Sequence, residues 1–192
     1  MSYAPKFNEY TQKSTGKTFA FEIFLDMDGV ISDFDQHAID TGMVKADGKK
    51  DYNKMNSHEW YASMPAYKGA RSFYDALCKV ARVRILTAPL KHIECFSGKA
   101  DWLKRFVPER KQWILSDLMI VASKDKKLVA GPCRILIDDR EGNVQDWIDA
   151  GGMAIHHKGD FEQTLNKLKF LLENYSPVYN GINPKIHGKW RP

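Results

Sequence analysis

From residue 70 onward, short apolar runs of strand length alternate with segments whose apolar residues recur at helical spacing, and this constrains the fold more than any other feature. The periodicity predicts a helix over residues 72–82 that buries Phe73, Leu77 and Val80, then a strand over 83–86. It continues with a helix over 99–106 that buries Trp102, Leu103 and Phe106, strands over 118–122 and 134–137, and a helix over 144–150. A strand over 153–156 and a helix over 161–174 close the pattern. Strands joined by crossover helices run parallel, and a parallel sheet buries both faces, so the expected class is α/β, a Rossmann-like sheet with helices on both faces. Upstream, residues 19–25 are apolar and aromatic and run straight into Asp26-Met-Asp-Gly29, which reads as a central buried strand ending at a turn. In such sheets ligands bind beyond the carboxyl ends of the strands.

One stretch interrupts the pattern. After a helical segment over 30–41, a polar interval with Gly42, Gly48 and the charged run 49–54 extends to Glu59-Trp60-Tyr61. Residues 1–18 are polar and unpatterned, suited to an arm or a short edge element, and the last residues, with Pro177, Pro184, Pro192, Gly181 and Gly188, read as a tail. The expected organisation is a core domain over 1–31 and 71–176, a small, mainly helical cap over 32–70, and a basic tail over 177–192.

Composition narrows the class further. Apolar residues at 43% and charged residues at 28% exclude a disordered or fibrous chain. The longest apolar stretches are about five residues, too short for a membrane span, and the N-terminal residues lack the apolar core of a signal peptide. The expectation is a soluble, cytoplasmic protein without a membrane partner. Three cysteines without a CxxC pair suggest reduced thiols. The net charge is +5, but the tail carries +3 of it through Lys185, Lys189 and Arg191, so the body is close to neutral and a nucleic-acid partner is possible without being favoured. A dimer is compatible with the sequence, which does not set the oligomeric state.

Two strand ends carry paired carboxylates, Asp26 with Asp28 and Asp138 with Asp139. Parallel strands place both pairs on one edge, where like charges repel unless a cation lies between them. A hard divalent ion with oxygen ligands fits, and Mg²⁺ with retained waters suits a site completed by a phosphate. A bare DxDG is weak, because Asp and Gly are ordinary turn residues. The ordered set is stronger: DxDG ending one apolar strand, Leu86-Thr87 ending a second, lysines following, and Ile137-Asp-Asp-Arg140 ending a third.

Asp26-Met-Asp-Gly-Val30, Leu86-Thr87, Lys126 and Asp138-Asp139 resemble the four successive motifs of the haloacid dehalogenase (HAD) superfamily of phosphohydrolases. More narrowly, residues 24–34, 86–90, 98–102 and 136–140 are similar to the 5'(3')-deoxyribonucleotidases, over a span of about residues 19–172. The resemblance implies Asp26 as nucleophile and Asp28 as general acid and base. Mg²⁺ would be held by the Asp26 carboxylate, the Asp28 backbone carbonyl and Asp139, with Asp138 acting through water or on a neighbouring group. It implies that Thr87 and the Ala88 N–H contact the phosphoryl oxygens; the family usually carries a small polar side chain where Ala88 stands, so one phosphate contact is missing. Lys126 would neutralise the phosphoryl group, with Lys124 and Lys127 as alternatives, and Lys99 matches a second phosphate-side lysine. Arg140 falls among the substrate contacts, Phe34 matches a substrate-contacting aromatic, and Trp60 and Tyr61 are candidates for base stacking by position.

The implied activity is Mg²⁺-dependent dephosphorylation of (deoxy)ribonucleoside monophosphates through an aspartyl-phosphate. The alternatives are a 3'-phosphatase on DNA or RNA ends, which the basic tail suits, and a non-catalytic HAD module that binds nucleotide or nucleic acid. His92, His156 and His157 lack metal-ligand spacing and read as structural or surface residues.

Overall fold

In a computed structural model, residues 10–12, 17–19, 21–111 and 113–175 are described, and the expected tail lies outside them. Strands β1 (Tyr10–Gln12) and β2 (Lys17–Phe19) pair antiparallel, with Tyr10 opposite Phe19. The apolar run over 19–25 is therefore divided between this hairpin and the main sheet. That sheet is built from β3 (Glu22–Leu25), β4 (Arg82–Thr87), β5 (Leu118–Ile120), β6 (Arg134–Asp138) and β7 (Met153–His156), in the order β5-β4-β3-β6-β7, every pair parallel.

Alternation along β3 explains why both faces are covered. Ile23 and Leu25 point into one apolar cluster with Leu77, Leu103 and Leu168, while Phe24 joins Leu136, Val144 and Trp147 on the other face. Helices α3 (Ala70–Val80), α4 (Ile93–Phe106) and α6 (Phe161–Asn174) contribute to the first cluster and α5 (Glu141–Asp149) to the second. Val80, expected on the buried face of α3, is 46% exposed because the helix ends there. Helix α4 begins six residues earlier than the pattern predicts.

The interrupted stretch folds as α1 (Phe34–Asp40), a turn closed by a Val44–Lys50 bridge, and α2 (His58–Ala62). Its entering and leaving segments are hydrogen-bonded to each other. Ser32 and Ala66 form an antiparallel bridge, the Asp33 N–H donates to the Pro65 carbonyl at 2.8 Å, and the Tyr67 N–H donates to that of Ile31 at 3.1 Å. Helix α2 lies against α4 at Gly98, where a β-carbon would come 2.5 Å from Tyr61 Cβ and 2.6 Å from the His58 carbonyl oxygen.

At the amino ends of the strands Glu22, 1% exposed, pairs with Arg84 and lies 3.5 Å from Arg134 Nε. This ion cluster is structural and faces away from the crevice described next.

Candidate active site

The register of the sheet assembles the site. Leu25 is level with Ile85 on β4 and Ile137 on β6, so Asp26, one residue on, emerges beside Leu86 and Asp138, with Thr87 just beyond. The sequence order turns one way from β3 through β4 to β5 and the other way through β6 to β7, so this point is the topological switch where open α/β sheets form their crevice. The chain leaves β3 through Gly29 at φ +77, and a β-carbon there would sit 2.3 Å from Asp139 Oδ2. Glycine is thus required both for the turn and for the close approach of the second aspartate pair.

Asp26 is 5% exposed, and its Oδ1 accepts from the Met27 N–H at 2.8 Å and lies 2.9 Å from Lys126 Nζ. Lys126, 2% exposed, also donates to Asp138 Oδ2 at 2.7 Å. Burial lifts the Asp26 carboxyl to about 7 despite the opposing pull of Lys126, with Asp138 and Asp28 adding to the rise. Burial also works against the Lys126 charge, but Asp26 and Asp138 outweigh it and hold the ammonium above its ordinary value. Of the three lysines that could stand here, Lys124 is exposed and Lys127 pairs with Asp146 at the surface, 3.2 Å away.

Asp138 is fully engaged: its oxygens accept from Lys126, from the Arg140 N–H at 2.9 Å and from Asn143 Nδ2 at 3.0 Å. Asp139 differs. Its Oδ1 is the one buried side-chain oxygen or nitrogen among the described residues without a hydrogen-bond partner, and burial, then Asp138, raises its pKa. Asp26, Asp138 and Asp139 each bring a carboxylate oxygen within 4.8 Å of the others. An orphaned oxygen inside a triad of carboxylates fits a hard divalent cation.

On the other side, Lys99, 1% exposed, donates to Asp28 Oδ2 at 2.7 Å, Thr87 Oγ1 at 2.8 Å and the Ala88 carbonyl at 2.7 Å. An ammonium has three donors, and these bonds use them all. Because Lys99 donates to the Thr87 oxygen, the Thr87 hydroxyl hydrogen is left to point elsewhere. The Arg140 side chain is exposed at the start of α5.

The candidate aromatics are packed. Phe34 and Trp60 are each 6% exposed, meeting edge to face at 5.3 Å, with Lys50 Nζ over the Phe34 ring and Trp60 Nε1 donating to Thr41 Oγ1 at 2.7 Å. Tyr61 is buried with its hydroxyl on the Met55 carbonyl. Two accessible aromatics, Tyr52 and Phe96, 50% and 43% exposed, line with Leu90 and His92 a groove of about 650 Å³ beside the loop that follows Thr87. A separate cavity of about 750 Å³ between α5 and α6 is lined by none of the four aspartates.

Sequence reasoning missed Asn143, Ser32 and this groove. Asn143 sits one turn after the second aspartate pair, and its own oxygen accepts from Ser123 Oγ at 2.8 Å, fixing the amide so that it donates to Asp138. The spacing from Asp139 to Asn143, one helical turn, was the available signal. His156 donates to the Asp139 carbonyl at 2.9 Å and so acts structurally, as expected. All three cysteines are unpaired.

A parallel sheet carrying an aspartate pair on its central strand, a threonine on the next, a buried lysine and a second aspartate pair defines a phosphohydrolase of the HAD superfamily, a class that is generally metal dependent. The model of the family described as 5' nucleotidase, deoxy (pyrimidine), cytosolic type C protein matches residues 43–158, and the chain belongs to that family. It is accordingly a phosphoric monoester hydrolase of the nucleotidase type. The matched span includes Thr87, Lys99, Lys126, Asp138 and Asp139 and begins after Asp26 and Asp28. No curated protein matches the chain. Among solved structures, the HAD domain of effector protein Lem4 from Legionella pneumophila is 17% identical, covering 80% of this chain and 94% of its own, with a TM-score of 0.42. Among the described residues no helix is long and apolar enough to cross a membrane.

Proposed function

We propose that the protein is a Mg²⁺-dependent, cytosolic hydrolase of deoxyribonucleoside monophosphates that works through an aspartyl-phosphate on Asp26. The observation that carries this reading is the buried Asp26 carboxylate backed by Lys126 at 2.9 Å, with the unpartnered Asp139 Oδ1 beside it and Asp28 and Thr87 at the same sheet edge. Asp26, Asp139 and the Asp28 backbone carbonyl would hold the ion, with Asp138 tied to Lys126 and Asn143. Bound there, Mg²⁺ supplies charge neutralisation for the dianionic substrate.

The remaining roles belong to the chain. An Asp26 oxygen attacks phosphorus, the ester P–O bond breaks, and Asp28 gives the departing alkoxide a proton. Asp28 then takes a proton from the water that attacks the aspartyl-phosphate, releasing phosphate and restoring Asp26. The Thr87 hydroxyl and the Ala88 N–H orient the phosphoryl oxygens, Lys126 offsets their charge, Lys99 holds Asp28 and Thr87 in place, and Arg140 acts on the substrate side. Residues 32–70 form the cap over the core of 1–31 and 71–176, which excludes water. The nucleoside enters the groove of Tyr52, Leu90 and Phe96.

The test is phosphate release from nucleoside monophosphates, sugar phosphates and 3'-phosphorylated oligonucleotides, before and after chelation. Deoxyribonucleoside monophosphates are expected to be the best substrates, with activity lost to chelator, restored by Mg²⁺ and absent in Asp26→Asn. Full activity after exhaustive chelation refutes the metal role. Faster turnover of oligonucleotide ends, with a steep salt dependence, selects the 3'-phosphatase instead.

A further inference from the structure

We infer that Ser32 is a positioning residue for Asp28, fixing the carboxylate that delivers the leaving-group proton; this rests on the mechanism proposed above. Asp28 is held from both sides. Lys99 donates to Oδ2 at 2.7 Å, and Ser32 Oγ donates to Oδ1 at 3.1 Å. Lys99 cannot do both, since its other two hydrogens go to Thr87 and Ala88. A carboxylate tethered through one oxygen pivots about that contact, and a second tether on the other oxygen removes the pivot.

Ser32 is itself immobilised. It is 0% exposed, its N–H donates to the Met27 carbonyl at 2.9 Å, and its carbonyl accepts from the Gly29 N–H at 2.9 Å. Its hydroxyl also lies 3.2 Å from the Met27 carbonyl, so its hydrogen is shared between that oxygen and Asp28. The turn that exposes Asp26 and Asp28 thus folds back to present a hydroxyl to the second of them. Ser32 also pairs with Ala66, so the residue that orients Asp28 is part of the joint between the core and residues 33–65.

The role predicts a dependence on the leaving group. A nucleoside leaves as a poor alkoxide that needs a proton as the P–O bond breaks, whereas p-nitrophenolate is stable as an anion at neutral pH and does not. The specificity constant kcat/KM reports the steps up to the departure of that group, and so isolates the acid role of Asp28 from its later role as base.

For Ser32→Ala, kcat/KM on a deoxyribonucleoside monophosphate should fall about tenfold or more, while kcat/KM on p-nitrophenyl phosphate stays within about twofold. Ser32→Cys, with a weaker donor in nearly the same shape, should fall between the two and carries the same comparison if the alanine variant does not fold. Equal losses on both substrates, or no loss on the nucleotide, overturn the inference. Failure of the wild-type protein to hydrolyse either substrate overturns the mechanism beneath it, and the inference with it.

Discussion

Replacing Gly98 by alanine tests whether the docking of α2 on α4 sets the geometry of the site. The added β-carbon would meet Tyr61 Cβ at 2.5 Å and the His58 carbonyl oxygen at 2.6 Å, and both atoms are anchored to the backbone of α2. Neither can yield by a side-chain rotation, so α2 must retreat by about 1 Å to reach ordinary van der Waals separation. Overpacking of this kind costs about 1–3 kcal/mol, and the better helix propensity of alanine offsets about 1 kcal/mol of it. The net loss of up to about 2 kcal/mol corresponds to a fall in Tm of up to about 8 °C for a chain of this size. Lys99 is the next residue, so a displaced α2 also disturbs the ammonium that holds Asp28 and Thr87, and kcat/KM should fall by about 10- to 100-fold. The control is Gly142→Ala in α5, where a β-carbon meets nothing within 4 Å, and which should raise stability by about 0.5 kcal/mol. Thermal unfolding and initial-rate assays on both variants decide the matter. A Gly98→Ala protein as stable and as active as wild type refutes the reasoning.

Two predictions concern pH. In metal-free protein Asp26 holds its proton up to about 7, whereas the unfolded chain releases it near 3.8, so this group makes stability fall as pH rises between those values. Asp26→Asn should remove that slope when unfolding in chelator is compared at pH 5 and pH 8; an unchanged slope refutes the assignment. His157 is the opposite case. It is 2% exposed, bonded to Thr164 Oγ1 at 2.8 Å and stacked on Phe161, and burial lowers its pKa below the ordinary 6.5. The folded state therefore resists the proton that the unfolded chain accepts, so this contribution is present above about 6.5 and is lost as pH falls below it. His157→Gln should flatten the acid limb of the stability profile measured by urea unfolding, and an unaltered acid limb would count against it.

The strands leading to Asp26, Thr87 and Asp138 were legible because each finishes in buried apolar residues followed by a polar one, and the parallel register brings those ends level. Helix α4 was legible only in its second half. Its first turns expose Ile93 and Phe96, which breaks the amphipathic pattern, and Gly98 reads as a breaker until the close approach of α2 explains it. Phe34, by resemblance, and Trp60, by position, were candidates for stacking, and neither argument says what lies across a ring. The structure surrounds them with each other, Lys50 and Thr41. Ser32 and Asn143 were silent for a related reason: a short polar side chain acquires a role only from the carboxylate that folding brings to it.

The hydrogen-bonded joint between Ile31-Ser32-Asp33 and Pro65-Ala66-Tyr67 also bears on how the chain finds its fold. Pairing of β3 with β4 requires closing the longest interval between neighbouring strands of the main sheet that are consecutive in the chain, and loop-closure entropy grows with the length of free chain. Once residues 32 and 66 are bridged, the segment between them no longer counts toward that interval, and β4 reaches its partner over a far shorter tether. The same pinch brings the two ends of residues 33–65 side by side, so the segment leaves and rejoins the path from β3 to α3 at one point, while α2 within it stays packed on α4.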